Sequence, residues 1–252
     1  MSDDIVLKAT GLTKDFKGFR AVDAVNLKVK RGSVHALIGP NGAGKSTCFN
    51  LLTKFLTPSA GTITYDGRDI TRLKPEVIAR MGLVRSFQIS AVFGSMTALE
   101  NVRIALQRRR HGDSWDFWRS QKVLAHLEDE AMDLLDQVGM TGFAREQASD
   151  LSYGRKRALE IATTLALDPK VLLLDEPMAG MTQEDVARIT TLIARVAVGR
   201  TVLMVEHNLS VVATLCDRIT VLARGAILAE GSYDEVSKDP QVINAYIGVP
   251  NG

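Results

Sequence analysis

The sequence predicts an α/β fold: a sheet covered on both sides by helices and interrupted by a helical insertion. Three observations predict it. Short runs of β-type residues recur with helical patterns between several of them, the alternation expected of a layered α/β domain. A glycine-rich loop joins one such run to a helical stretch. The span from about Ala98 to Leu167 holds helical patterns and no good strand.

In chain order the β-type runs are Ile5–Lys8, Val25–Lys30, Val34–Ile38, Thr62–Tyr65, Leu83–Arg85, Val171–Leu174, Thr201–Val205, Ile219–Leu222 and Ala226–Ala229. A helix is expected over Lys45–Phe55, directly after the glycine loop. Within the helical span, Leu124, Leu127, Ala131, Leu134 and Val138 recur at helical spacing. Leu151-Ser152-Tyr153-Gly154 reads as a turn, with a helix from Lys156 to Leu167; a small hydroxyl and a glycine opening a helix suit an anion. Ala187–Val198 sets Ile189, Ile193 and Val196 on one face, as an amphipathic helix does. "ARGAIL" at 223–228 reads as a tight hairpin turn.

Composition narrows the function classes. A chain of 252 residues suits one domain with a subdomain, and 46% hydrophobic with 24% charged residues suits a globular core. A net charge of +2 provides no whole-chain basic field, so nucleic acid is not an expected partner. The basic stretch at 107–122 holds Trp115 and Trp118, but Arg108–Arg110 stand near Asp113 and Asp116, and a solvated insertion is expected there. Cys48 and Cys216 lack a CxxC partner or metal spacing and are expected as reduced core thiols. The N-terminus MSDDIVLKAT has no apolar signal core, and no apolar run approaches the ~20 residues needed to span a bilayer. A soluble, cytoplasmic chain is expected, reaching a membrane only through a partner.

The chemistry is concentrated in a few motifs. "GPNGAGKST" (Gly39, Pro40, Asn41, Gly42, Ala43, Gly44, Lys45, Ser46, Thr47) matches G-x-x-x-x-G-K-[ST] between the run Val34–Ile38 and a helix. Glycines let backbone N–H groups curl around phosphates, Lys45 reaches the β/γ oxygens, and the Ser46 hydroxyl can ligate Mg²⁺. "VLLLDEP" at 171–177 is a buried-type strand ending in two carboxylates. Asp175 is placed to hold a metal through water and Glu176 to polarise an attacking water. His207 follows the run Thr201–Val205 and a glutamate, where an imidazole could donate to a γ-phosphate.

At these residues the chain resembles the ABC-transporter ATPase family, nearly end to end. The family's fingerprints stand in order: Phe16 in "LTKDFKG" as the adenine-stacking aromatic, "GPNGAGKST", Gln88 in "VRSFQIS", "LSYGR" as the signature, "LLLDEP", and His207 in "MVEHNL". The resemblance implies a single ATPase domain over 1–252, a P-loop NTPase core with an N-terminal antiparallel β portion. The core spans 1–88 and 160–252, and 89–159 forms a helical subdomain carrying the signature. It implies ATP and Mg²⁺ as cofactors, with Ser46, Gln88 and Asp175 at the metal, and catalysis by Glu176, His207, Gln88 and Lys45. It also implies a head-to-tail pair in which Ser152 and the Gly154 amide cap the ATP held by the partner's phosphate loop. Two helix starts then serve two nucleotides. The departures are Tyr153 and Arg155, where glycine and glutamine are commoner, and Thr182, where aspartate or asparagine is.

Within the family the sequence looks most like the branched-chain amino-acid importer ATPases, on "LSYGxxRxLEIA", "EPxAGM" and the C-terminal "VINAYIG" at 242–248. The implied partners are a second ATPase subunit, identical or not, two membrane permease subunits and, indirectly, an extracytoplasmic solute-binding protein. The implied place is the cytoplasmic face of the inner (cytoplasmic) membrane, as a peripheral subunit. Phe93 and Met96, in "FQISAVFGSMTALENV" at 87–102, are the expected apolar contacts for a permease helix. An importer ATPase for urea, an amide or another small solute, and a soluble ABC ATPase acting on nucleic acid or ribosomes, remain the alternatives.

Overall fold

The computed structural model describes residues 4–86, 92–110 and 121–247. Its main sheet runs β11 (Ala226–Gly231), β10 (Arg218–Ala223), β4 (Val34–Ile38), β9 (Thr201–Val205), β8 (Val171–Asp175) and β7 (Leu83–Arg85). All neighbours are parallel except β10 and β11, which form the expected hairpin around Arg224 (φ 48°) and Gly225 (φ 84°). Every residue of β4 and β9 is buried. That is why these strands read as nearly continuous apolar runs, interrupted only by His35 and Thr201, and not as alternating ones.

The two faces of this sheet sort side chains by the two-residue strand period. Val34, Ala36, Ile38, Leu172 and Leu174 face one apolar cluster, shared with α3 (Ala98–Arg110), α4 (Gln121–Gln137), α5 (Tyr153–Leu165) and α6 (Gln183–Ala197). Leu37, Val171 and Leu173 face the other, shared with α1 (Lys45–Leu52), α2 (Pro75–Arg80) and the N-terminal strands. Among the described residues no helix is long and apolar enough to cross a membrane.

The second sheet is antiparallel, as expected, and forms around β1 (Ile5–Phe16). This strand pairs with β2 (Phe19–Val25) and β3 (Lys28–Lys30) on one side and β5 (Ala60–Tyr65) on the other, with β6 (Arg68–Asp69) beyond. Here the structure departs from the expected strands. The run Ile5–Lys8 continues to Phe16, and β2 was not anticipated at all. Lys17 (φ 40°) and Gly18 (φ 93°) both lie in the left-handed region and make a two-residue hairpin turn between them. Val25–Lys30 is not one strand, because the pairing shifts register there. Ala24 takes φ 47°, and the Asn26 side chain intervenes, accepting from the Gly11 amide at 2.9 Å and donating to the Ala24 carbonyl at 3.0 Å.

Two helix boundaries also move. The helix after the glycine loop ends at Leu52, and Lys54 turns left-handed (φ 63°), so Phe55 falls outside it. The signature helix begins at Tyr153 and not Lys156, which makes Ser152 its N-terminal flanking residue. Both cysteines are free, and burial pushes each thiol up to about 12.

Candidate functional site

Strand order assembles the site. β4, β9 and β8 are parallel neighbours with Leu37 beside Val205 and Val205 beside Asp175. Their C-terminal ends therefore present the glycine loop, His207 and the Asp175–Glu176 pair side by side. At ~4.8 Å per strand spacing the outer two lie about 10 Å apart, at the edge where α/β sheets bind ligands.

The loop Gly39–Thr47 fits a phosphate group by its backbone. A Cβ at Gly39 would stand 2.2 Å from the Leu222 carbonyl oxygen, and one at Gly44 would stand 2.5 Å from that of Ala21. Gly44 (φ 98°) turns the chain into α1 with no side chain over the helix start. Lys45 is 7% exposed, and its ammonium donates to the carbonyls of Gly39 at 2.7 Å and Pro40 at 3.0 Å. Burial lowers its pKa while the nearby Glu176 carboxylate raises it. Ser46 is exposed, Thr47 partly so. Phe16, at the hairpin tip and 41% exposed, has the Lys14 ammonium 5.1 Å from its ring centroid. Its hairpin abuts the loop through the Ala21 carbonyl of β2 at Gly44, while the Asp23 amide donates at 2.8 Å to the carbonyl of Gly225 in the β10–β11 turn, whose own amide donates to the Ala43 carbonyl at 3.0 Å.

Asp175 and Glu176 diverge. Asp175 ends β8 and forms an ion pair through Oδ2 with Arg85, whose other nitrogen donates to Asn50 Oδ1 of α1 at 2.6 Å. Arg85 was not anticipated. Glu176 takes φ 44°, a backbone conformation that costs a non-glycine residue ~1–3 kcal/mol and is found at functional sites. Its amide donates to the Val205 carbonyl at 2.9 Å, so the turn that aims Glu176 is anchored on the strand leading to His207. His207 itself is exposed. Gln88 lies outside the described residues, as do Trp115 and Trp118. Phe93 is 53% exposed, whereas Met96 is half-buried and fits the apolar-contact expectation less well.

The second helix start stands apart from the first. Ser152 is exposed, and its side chain makes no capping hydrogen bond to its own helix. At Gly154 a Cβ would lie 2.4 Å from Asp185 Oδ1, so a larger residue there would displace the Asp185 carboxylate. Tyr153, at a departure from the commoner signature, donates its hydroxyl to the Ala179 carbonyl at 3.0 Å. Arg157 was also missed. Buried against Glu160 at 2.5 Å, it donates to the carbonyls of Asp175 at 2.9 Å and Pro177 at 3.3 Å. Burial raises the Glu160 pKa, with Arg157 opposing. The helix that Ser152 opens and the turn carrying Glu176 are thus joined by hydrogen bonds within one chain. The i, i+3 pair Arg157/Glu160 on an otherwise apolar helix face was the sequence signal that could have found it.

This arrangement defines a class: a phosphate loop, a strand-end carboxylate pair and a strand-end histidine on one sheet edge, with a separate signature helix. The family described as ABC transporter matches residues 22–179, and the chain belongs to it. A second family, the branched-chain amino acid ATP-binding cassette transporter, matches residues 226–250. The high-affinity branched-chain amino acid transport ATP-binding protein BraF of Pseudomonas aeruginosa is 40% identical over 249 residues, 96% of this chain and 98% of that protein. LivG of Escherichia coli, of the same description, is 37% identical over 96% of this chain and 98% of that one. The crystal structure of the ADP conformation of MJ1267, an ATP-binding cassette of an ABC transporter, superposes with a TM-score of 0.85 at 30% identity, covering 97% and 99% of the two chains. A dimeric structure of the cassette MJ0796 superposes at 0.77 with 26% identity, covering 90% and 98%.

Proposed function

We propose that this chain is the ATP-hydrolysing subunit of an importer for branched-chain or chemically related amino acids, bound peripherally at the cytoplasmic face of the membrane. The observation that carries the ATPase part is the strand-end juxtaposition of Lys45, Glu176 and His207. The solute follows only from the likeness to the branched-chain transport proteins over nearly the whole chain.

In this reading Phe16 stacks on adenine and the amides of Gly39–Thr47 wrap the phosphates, with Lys45 on the β/γ oxygens. Ser46 and Asp175, with Gln88, would hold Mg²⁺, whose chemistry is to neutralise charge on the phosphates. Among the described residues no cluster of three metal-ligating side chains occurs. A magnesium site built from one carboxylate, a hydroxyl and substrate phosphates needs none. Glu176 orients water for in-line attack, and His207 donates to the charge that develops on the γ-phosphate. Ser152 and Gly154 contact the nucleotide of a second ATPase subunit across a head-to-tail pair. The helical segment 89–159 carries that contact and, through Phe93, the contact to one of the two permease subunits; an extracytoplasmic binding protein delivers the solute to the permeases.

A pull-down of the tagged chain from solubilised membranes tests this. Recovery of two permease-type proteins and a second ATPase is expected. Recovery of ribosomes or nucleic acid, with nothing from the membrane, would overturn the transport reading.

A further inference from the structure

Directly after β9 stands a carboxylate that none of these roles uses. Glu206 is 0% exposed, directly before His207. Its Oε1 accepts from the Met178 amide at 3.0 Å. Its Oε2 accepts from the amides of His207 at 2.9 Å and Asn208 at 3.0 Å. Three N–H donors surround it, and both oxygens are used. One side chain therefore ties the turn that carries Glu176 to the turn that carries His207. The other side of the Glu176 turn is held by Arg157 through the carbonyls of Asp175 and Pro177.

A buried carboxylate is retained only where its partners compensate the loss of water, and these partners are all backbone amides of two functional loops. A neutral side chain could fill the same volume. Only an acceptor with two oxygens can bind the amides on both sides at once. We infer that Glu206 is a positioning residue for ATP hydrolysis, fixing His207 relative to Glu176 without touching nucleotide. The inference rests on the roles proposed for those two residues.

The isosteric Glu206→Gln tests it in the purified full chain. Its amide nitrogen cannot accept, so either the Met178 bond or the His207/Asn208 pair is lost while packing is kept. Steady-state ATPase and equilibrium binding of a fluorescent ATP analogue are measured for Glu206→Gln, His207→Ala and the double variant. The expected result is a kcat at least 10-fold lower in Glu206→Gln, with nucleotide affinity within about 2-fold of wild type. The double variant should be less impaired than the product of the two single losses, because both changes break the same His207–Glu176 arrangement. A wild-type kcat in Glu206→Gln overturns the inference. So do losses that multiply in the double variant, and so does a parallel loss of nucleotide affinity, which marks a general structural role. If His207→Ala alone runs at the wild-type rate, the fault lies with the role given to His207. A slow Glu206→Gln enzyme then still supports the hold on the Glu176 turn, and a normal one overturns it.

Discussion

His35 shows how far one side chain can set the behaviour of the fold. It lies in the strand that feeds the phosphate loop, fully buried, with Nε2 2.8 Å from Thr220 Oγ1 and Nδ1 without a partner. Burial lowers its pKa from 6.5 to about 4, with Glu230 pulling upward and Arg218 downward. Because the folded value lies below the unfolded one, this histidine supports the fold fully above pH 6.5. The support is lost as pH falls toward 4, where the unfolded chain takes up a proton that the native one refuses. At 1.36 kcal/mol per pKa unit, the loss between pH 7 and pH 5 is roughly 2 kcal/mol. Urea unfolding at the two pH values should show it in the wild type and show a clearly smaller difference in His35→Gln. An equal difference in both would place the pH dependence elsewhere.

At the scale of elements, Thr182 turns from a departure into an explained residue. It is the N-cap of α6, its hydroxyl accepting from the Asp185 amide at 3.3 Å. Thr182→Ala should lower unfolding stability by about 1 kcal/mol, and Thr182→Asn should restore most of it, both read from denaturant midpoints. A full loss in Thr182→Asn would mean that the threonine methyl and not the cap is what matters. The same element shows what was legible in sequence. The four central strands of the main sheet and the helix α6 announced themselves because burial on both faces, or along one stripe, leaves a simple pattern. The phosphate loop, Asp175, Glu176 and His207 were legible for a related reason: each sits at the end of such an element. The hairpin β1–β2 was not, because its bulges break the two-residue alternation at Leu12, Lys14 and Asp15. Arg85, Arg157 and Glu206 were hidden differently. Their partners are backbone atoms or side chains distant in sequence, and no local spacing records them.

At the scale of the whole molecule, the proposed head-to-tail pairing gives each of the two helix starts a nucleotide to serve. Within one chain the helix that Ser152 opens is fastened to the turn carrying Glu176 by Tyr153 and Arg157. Engagement of Ser152 and Gly154 with a partner's nucleotide would thus be felt at the chain's own Glu176. Coupling through a packed, hydrogen-bonded element of this kind predicts that hydrolysis and pairing are linked. The measurement that tests this most directly is the size of Glu176→Gln in Mg-ATP, run alone and with its co-purified ATPase partner. The account predicts, in at least one of the two runs, a two-subunit species (twice the 27.5 kDa chain mass alone, or the summed mass of this chain and its partner) that retains ATP and dissociates when nucleotide is removed. A variant that binds ATP yet stays monomeric in both runs, or that turns ATP over at the wild-type rate, would contradict it.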